Sequence, residues 1–131
     1  MTALPQGLKD MLKTTVFAHL TTLMADGAPQ ASPVWVDVDG DEILINTAEN
    51  RVKDKNMKRD ARVAISVTAA DNPYKAFMIR GHVVGHTTDG ADAHIDAMAK
   101  KYMGVDSYPY RTPTETRVIF RIVADRVSNM G

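Results

Sequence analysis

Three cations crowd the start of one predicted helix, and they are the side chains of this chain with the most chemistry to offer. The stretch Asn46–Asp60 reads N-T-A-E-N-R-V-K-D-K-N-M-K-R-D. It follows the apolar run Ile43-Leu44-Ile45, the end of a predicted strand, turns through Thr47 to Asn50, and enters a helical pattern at Arg51. Arg51, Lys53 and Lys55 then fall in or near the first helical turn. A helix N-terminus is partly positive and presents unpaired N–H groups, so local physics favours Asp or Glu there. An anion such as a phosphate, held between the cations and the N–H donors, would reconcile the two. A solvated basic helix balanced by Glu49, Asp54 and Asp60 accounts for the same composition, and charge alone does not separate the readings.

Other chemistry is sparse. His82 and His86 lie four apart on a predicted strand, roughly 13 Å along it, too far to share one metal. His19 and His94 stand alone in predicted regular elements. No cysteine is present, so thiolate chemistry, a disulfide frame and a Cys-based zinc site are excluded, and no metal site is expected. Ser32 precedes Pro33 and carries no triad motif. Neither a Rossmann glycine fingerprint nor a P-loop occurs. Trp35, Tyr74, Tyr108 and Tyr110 fall on a strand or near predicted turns, where they either pack or stack against a flat ring.

The elements that must position these residues follow from periodicity. Pro5–Lys13 reads as a short amphipathic helix with Leu8, Met11 and Leu12 on one face. Val16–Met24, Gln30–Val38 and Glu42–Asn46 read as three strands joined at Asp26-Gly27 and Asp39-Gly40, an expected antiparallel meander. Pro33 within the second strand implies an edge or a bulge. After the basic helix come strands at Arg62–Thr68 and Ala76–Thr87, the latter with Gly81 and Gly85 as possible bulges or close approaches. A helix opens at Asp89 or Gly90, places Ile95, Met98, Ala99 and Tyr102 on one face, and ends at Gly104. A Pro- and Tyr-containing loop precedes the last strand, Arg117–Val127. Six strands with short helices predict a mainly β fold, a closed or half-closed antiparallel barrel.

The chain has 131 residues, with 16 Lys plus Arg against 16 Asp plus Glu. That length suits a single domain spanning 1–131. A balanced charge argues against a general nucleic-acid binder and favours a small anionic ligand at a local basic site. No apolar run approaches a membrane span, and the N-terminus lacks the order of a signal peptide, so a soluble cytoplasmic protein is expected.

The pieces L-T-T-L-M-A-D-G-A-P-Q-A-S-P-V-W-V at Leu20–Val36, K-x-x-N at Lys53 and Asn56, R-D-A-R-V-A-I-S-V at Arg59–Val67, N-P-Y at Asn72–Tyr74 and I-R-G at Ile79–Gly81 carry a resemblance. In this order and spacing the chain resembles the FMN-binding split β-barrel superfamily, which includes pyridoxamine-phosphate oxidases. More narrowly it is similar to the actinobacterial flavin/deazaflavin oxidoreductases of the B class. The resemblance implies a six-stranded split barrel that forms a homodimer with two cofactor sites at the interface. By it, Arg51, Lys53 and Asn56 would hold the cofactor phosphate, and Thr47 and Ala48 would line the turn beneath. The Ser32-Pro33-Val34-Trp35 backbone would read the pyrimidine edge of the ring, and Tyr74 would approach the cofactor of the partner subunit.

The resemblance favours coenzyme F420 over FMN. F420 carries a phosphodiester and a glutamate tail, and Arg51, Lys53 and Lys55, with Lys58 and Arg59, could supply a longer positive groove for it. The implied reaction is hydride transfer from the reduced deazaflavin to a conjugated or electron-poor organic acceptor, with no side chain needed as nucleophile or base. An FMN-binding protein, or a flavin- or haem-binding module without turnover, stays open because the barrel hosts both. The chain stops at Gly131, soon after the last strand, without the C-terminal extension of the pyridoxamine-phosphate oxidases, which weighs against that substrate.

Overall fold

The structure, a computed structural model, describes residues 1–130. Its elements are α1 (Gln6–Leu12), β1 (Ala18–Leu23), β2 (Pro29–Val34), β3 (Asp37–Asp39), β4 (Glu42–Ala48), α2 (Val52–Arg59), β5 (Arg62–Ala69), β6 (Asn72–Thr87), α3 (Ala91–Met103) and β7 (Arg117–Met130). The strands form one antiparallel sheet in the order β2-β1-β5-β6-β7-β4-β3. None of the helices is long and apolar enough to cross a membrane.

Seven strands stand where six were expected, because the predicted strand Gln30–Val38 breaks at Trp35–Val36. The expected meander is also corrected. β1–β2 and β3–β4 are hairpins at opposite ends of the sheet, and β2 does not pair with β4. The reason lies in where the backbone of Val36 finds its partners. Its N–H donates to Tyr102 Oη (3.0 Å), and its carbonyl accepts from Lys101 Nζ (2.8 Å). Polar heads from α3 thus replace a neighbouring strand. The two sheet edges are joined by only two residues, so their near ends lie within about 11 Å. The sheet must therefore curl on itself while its edges stay unpaired, which is a split barrel.

Alternation fills the interior. Leu20, Ile43, Ile45, Val63, Ile65, Val67, Ile79, Val118, Phe120 and Ile122 point inward and form one cluster with Leu8 and Leu12 of α1 and Met57 of α2. Each helix therefore closes part of the barrel with its apolar face. β4 is buried on both faces because α3 covers its outside, where Leu44 joins Ala91 and Ile119. The long β6 shifts register between Arg80 and Gly81 and between Val83 and Gly85, at the two glycines expected to mark irregularities. A Cβ on Gly81 would come within 2.3 Å of the Val123 carbonyl oxygen, so only glycine fits. α3 ends at Gly104, whose φ of 72° accepts the left-handed cap. Pro33 does sit on an edge strand, with β1 on one side only.

Candidate functional site

A cleft of about 220 Å³ opens where the barrel is split. Its walls come from β2 and the Trp35 link, from β4, from the start of α2, from α3, and from the loop before β7. Of the cofactor-binding residues expected from the sequence, Pro33, Val34, Trp35, Thr47, Arg51 and Lys53 line it, and so do His94, Tyr108 and Tyr110. Topology explains this convergence. β4 delivers Thr47 and runs through a turn at Asn50 (φ 73°) into α2, while the edge link delivers Trp35.

One end of the cleft is cationic. Arg51 is the residue before α2, and Lys53 is in its first turn. Arg117, the first residue of β7, pairs in register with Ala48 and joins them on the cleft wall. Burial holds the Lys53 ammonium below its ordinary pKa, and the charges of Arg51 and Arg117 push it the same way. Burial likewise lowers Arg117, against the partial compensation of Glu115. Glu115 is the one carboxylate among these cations, 3.6 Å from Arg51 and 3.5 Å from Arg117. Lys53 makes no ion pair among the described residues. Thr47 is buried, and its Oγ1 has no hydrogen-bond partner among them. Crowded, desolvated cations beside an orphaned hydroxyl are costly in the free protein. A bound anion with several acceptor oxygens would offset the crowded cations.

The helix N-terminus has a carboxylate of its own, Asp54, one of the three acids counted in the sequence as balancing the cations. Asp54, fully buried, accepts the Asn50 N–H on Oδ2 (2.8 Å) and ion-pairs Lys58 Nζ through Oδ1 (3.0 Å), at angles outside those of a hydrogen bond. Lys58 is thereby occupied. Arg59 donates to the Leu23 carbonyl and to Asn56 Oδ1. Lys55, Lys58 and Arg59 do not line the cleft, so the extended groove expected from them is replaced by a compact cluster of Arg51, Lys53 and Arg117.

The remaining expected residues lie apart. Asn56 is buried and donates to Thr22 Oγ1 (3.0 Å) and Met24 Sδ (3.3 Å), fastening α2 to β1. Ala48 is buried behind the turn, and Ser32, half-buried in β2, is not among the residues that line the cleft. Tyr74, 74% exposed at the start of β6, is remote from this chain's own cleft.

A polar relay missed in the sequence supports Arg117. Its Nε–H donates to Asn46 Oδ1 (3.0 Å). That fixes the amide, whose Nδ2 donates to the Ala91 carbonyl (2.9 Å) and to His94 Nδ1 (3.0 Å). His94 Nδ1 is then an acceptor, and its Nε2–H donates to Asp37 Oδ2 (2.9 Å), which assigns the neutral tautomer. Burial raises the Asp37 carboxyl, but the His94 and Val38 hydrogen bonds and nearby positive charge bring it below its ordinary value. Nothing in the sequence places β7 beside β4, so Arg117 and Asn46 could not be paired from it.

The other end of the cleft is aromatic. Trp35 stacks on Tyr102 with centroids 5.0 Å apart and planes 3° apart, and meets Tyr108 edge-on at 6.1 Å. Packing and cleft-lining are therefore both true of Trp35. Its backbone N–H and C=O take part in no turn, loop or side-chain hydrogen bond among the described residues.

Comparison with known proteins agrees with this geometry. An F420 reductase of known structure is 29% identical, with 95% of this chain and 98% of that one covered and a TM-score of 0.82. The conserved hypothetical protein Rv2991 from Mycobacterium tuberculosis (22% identity, 99% and 86% covered, TM-score 0.76) shares the fold. So does HupZ from Group A Streptococcus (20%, 96% and 93%, 0.67). No curated protein matches the chain in sequence. A profile for pyridoxamine 5'-phosphate oxidase matches residues 4–131; with the split barrel it frames, the chain belongs to the pyridoxamine 5'-phosphate oxidase family, a family of oxidoreductase-like, flavin-binding folds.

Proposed function

We propose that this protein is an F420-dependent oxidoreductase that passes a hydride from reduced deazaflavin to a conjugated or electron-poor organic acceptor. The observation that carries the reading is the cleft's polarity: Arg51, Lys53, Arg117 and the unpartnered Thr47 hydroxyl at one end, Trp35 and tyrosines at the other. This is the distribution a phosphorylated, flat-ringed cofactor requires. The 29% identical F420 reductase supports the choice of deazaflavin.

When bound, the deazaflavin supplies the hydride; the chain's own residues bind and orient. The guanidiniums of Arg51 and Arg117 would hold the phosphate, Lys53 would add a point charge, and Thr47 would stand beside it as a hydroxyl donor. Asn56 acts at one remove by holding α2 in place, with Ala48 packed beneath the turn. The Ser32–Trp35 backbone would meet the ring, and Trp35 would exclude water from it. Solvent would supply the proton that completes product formation, since the reading assigns no side chain to that step.

The cleft of about 220 Å³ falls short of the roughly 300–1,000 Å³ of a small-molecule pocket. A homodimer in which Tyr74 closes the partner's cleft would complete it. FMN is the second reading, favoured by one observation: the cations are clustered rather than strung out along α2, which suits a compact terminal phosphate.

Titration of the purified protein with F420 and with FMN, read by absorbance and fluorescence, tests the cofactor. Steady-state oxidation of reduced F420 with and without an acceptor tests turnover. Tight FMN binding without F420 binding would overturn the first choice, and F420 binding without turnover on any conjugated acceptor would leave a carrier rather than an enzyme.

A further inference from the structure

Beside the cleft lies a second hollow of about 410 Å³, walled by Thr15, Phe17, Trp35, Tyr102, Met103 and Tyr110. It shares Phe17, Trp35 and Tyr110 with the cleft, so the two hollows adjoin at these rings. Among its walls there is no ionisable acid or base except two phenols. The Tyr102 hydroxyl is withdrawn, donating to the Val16 carbonyl (2.6 Å) and accepting the Val36 N–H. The adjacent Lys101 spends its ammonium on the Leu12 and Val36 carbonyls, at 2.7 and 2.8 Å. Polar heads thus point into the barrel, and rings and a thioether are left facing the hollow. Phe17, Tyr110 and Met103 are 52%, 64% and 41% exposed, a concentration of large apolar surface at a cleft mouth that folding alone does not explain.

We infer that this lobe binds the hydride acceptor, and that the acceptor is a neutral, flat, conjugated molecule. The inference rests on the deazaflavin reading of the cleft and narrows its substrate class. An anionic acceptor would be drawn to Arg51, Lys53 and Arg117 and would compete with the cofactor phosphate. A neutral ring system gains from the aromatic walls and has no such conflict. Trp35 is common to both compartments, so an acceptor in the lobe would lie next to the cofactor ring.

The test uses the full-length protein and the neutral fluorescent probe N-phenylnaphthylamine, with its sulfonated analogue anilinonaphthalene sulfonate as comparator. The neutral probe should bind saturably, quench Trp35, and persist in saturating F420 and in excess inorganic phosphate. The sulfonate should bind more weakly once phosphate or F420 is present. Met103→Lys places a charge in the lobe at the end of α3, where a cation suits the helix. It should weaken the neutral probe by at least about tenfold, a cost expected for desolvating a charge, while F420 affinity stays unchanged. Equal affinity of the Met103→Lys variant and wild type, or displacement of the probe by phosphate, would overturn the proposal. Probe binding that fades as the chain self-associates would also overturn it, by assigning the lobe to a second copy. Retained probe binding without any F420 binding would sink the deazaflavin reading and leave the lobe as a site for neutral rings.

Discussion

Lys53→Glu separates a ligand site from a solvated helix face. Lys53 stands in the first turn of α2, half-buried, with Arg51 and Arg117 depressing its pKa after burial itself. A carboxylate at a helix N-terminus is favourable by about 0.3–1 kcal/mol, and it would meet two guanidiniums instead of an ammonium meeting them. Asp54 already serves the N-terminus through the Asn50 N–H, which keeps the gain near the low end. A domain of this size has an unfolding entropy of roughly 0.3 kcal/mol/K, so the free variant should melt between no change and about 4 °C above wild type. Binding should move the other way. Losing one hydrogen bond from a charged donor costs about 1.5–3 kcal/mol, and facing the phosphate with a carboxylate adds to it. F420 affinity should therefore fall by more than about 100-fold. Calorimetric titration reads the affinity and differential scanning the melting temperature. Lys53→Met, which keeps the stem, should fall between. A Lys53→Glu variant that binds as wild type, or one that melts well below it, would refute the reasoning: the first denies the ligand, the second shows the lysine serves the fold.

Thr47→Val removes a buried hydroxyl that has no partner among the described residues. The free protein should be as stable or up to about 1–3 kcal/mol more stable, yet bind cofactor roughly tenfold more weakly; unfolding curves with and without F420 check both. Trp35 is the one tryptophan, so saturating cofactor should quench protein fluorescence and Trp35→Phe should remove the signal; unquenched emission would mean the ring does not reach it. F420 affinity should be constant through neutral pH and decline as pH rises through the lowered pKa of Lys53, because anion binding favours its charged form. By the same lowering, folding stability should rise with pH between the folded and unfolded pKa of Lys53, since the unfolded chain holds that proton longer. Light scattering after size exclusion should give a dimer; a monomer with full cofactor affinity would remove Tyr74 from the site.

What could be read in the sequence was what local physics controls. The helix at Val52–Arg59, the two hairpins, the bulges at Gly81 and Gly85 and the stop at Gly104 each depend on residues close in the chain. Pairings across the sheet do not. Ala48 meets Arg117 only because β7 inserts between β6 and β4, and no periodicity announces an insertion. The break at Trp35–Val36 was invisible for a similar reason. The alternation of Val34, Val36 and Val38 continues through it, while the partners that interrupt the ladder, Lys101 and Tyr102, lie about 65 residues later. Charge counting misassigned the far end of α2 because it could not see Asp54 turn inward to take Lys58.

The break that the alternation hides is also what makes the site. A barrel closed by hydrogen bonds would leave no depression between β2 and β3 and no backbone free to meet a ligand. Here the edges are held by side chains of α3 instead. Tyr102 and Lys101 satisfy Val36 and, through the Val16 and Leu12 carbonyls, the segment that leads from α1 into β1. The neighbouring link residue, Trp35, is left out of that arrangement at its backbone while its ring is clamped against Tyr102. One turn of α3 thus closes the core and props the cleft open. The opposite wall is fixed from the same helix, where His94 reaches through Asn46 to Arg117. Both ends of the cleft, aromatic and cationic, therefore depend on how α3 sits on β4. A change in that helix's packing should move ring and phosphate contacts together, the more so because Arg117 lies over the Tyr108 ring, 5.1 Å from its centroid, and so joins the two ends.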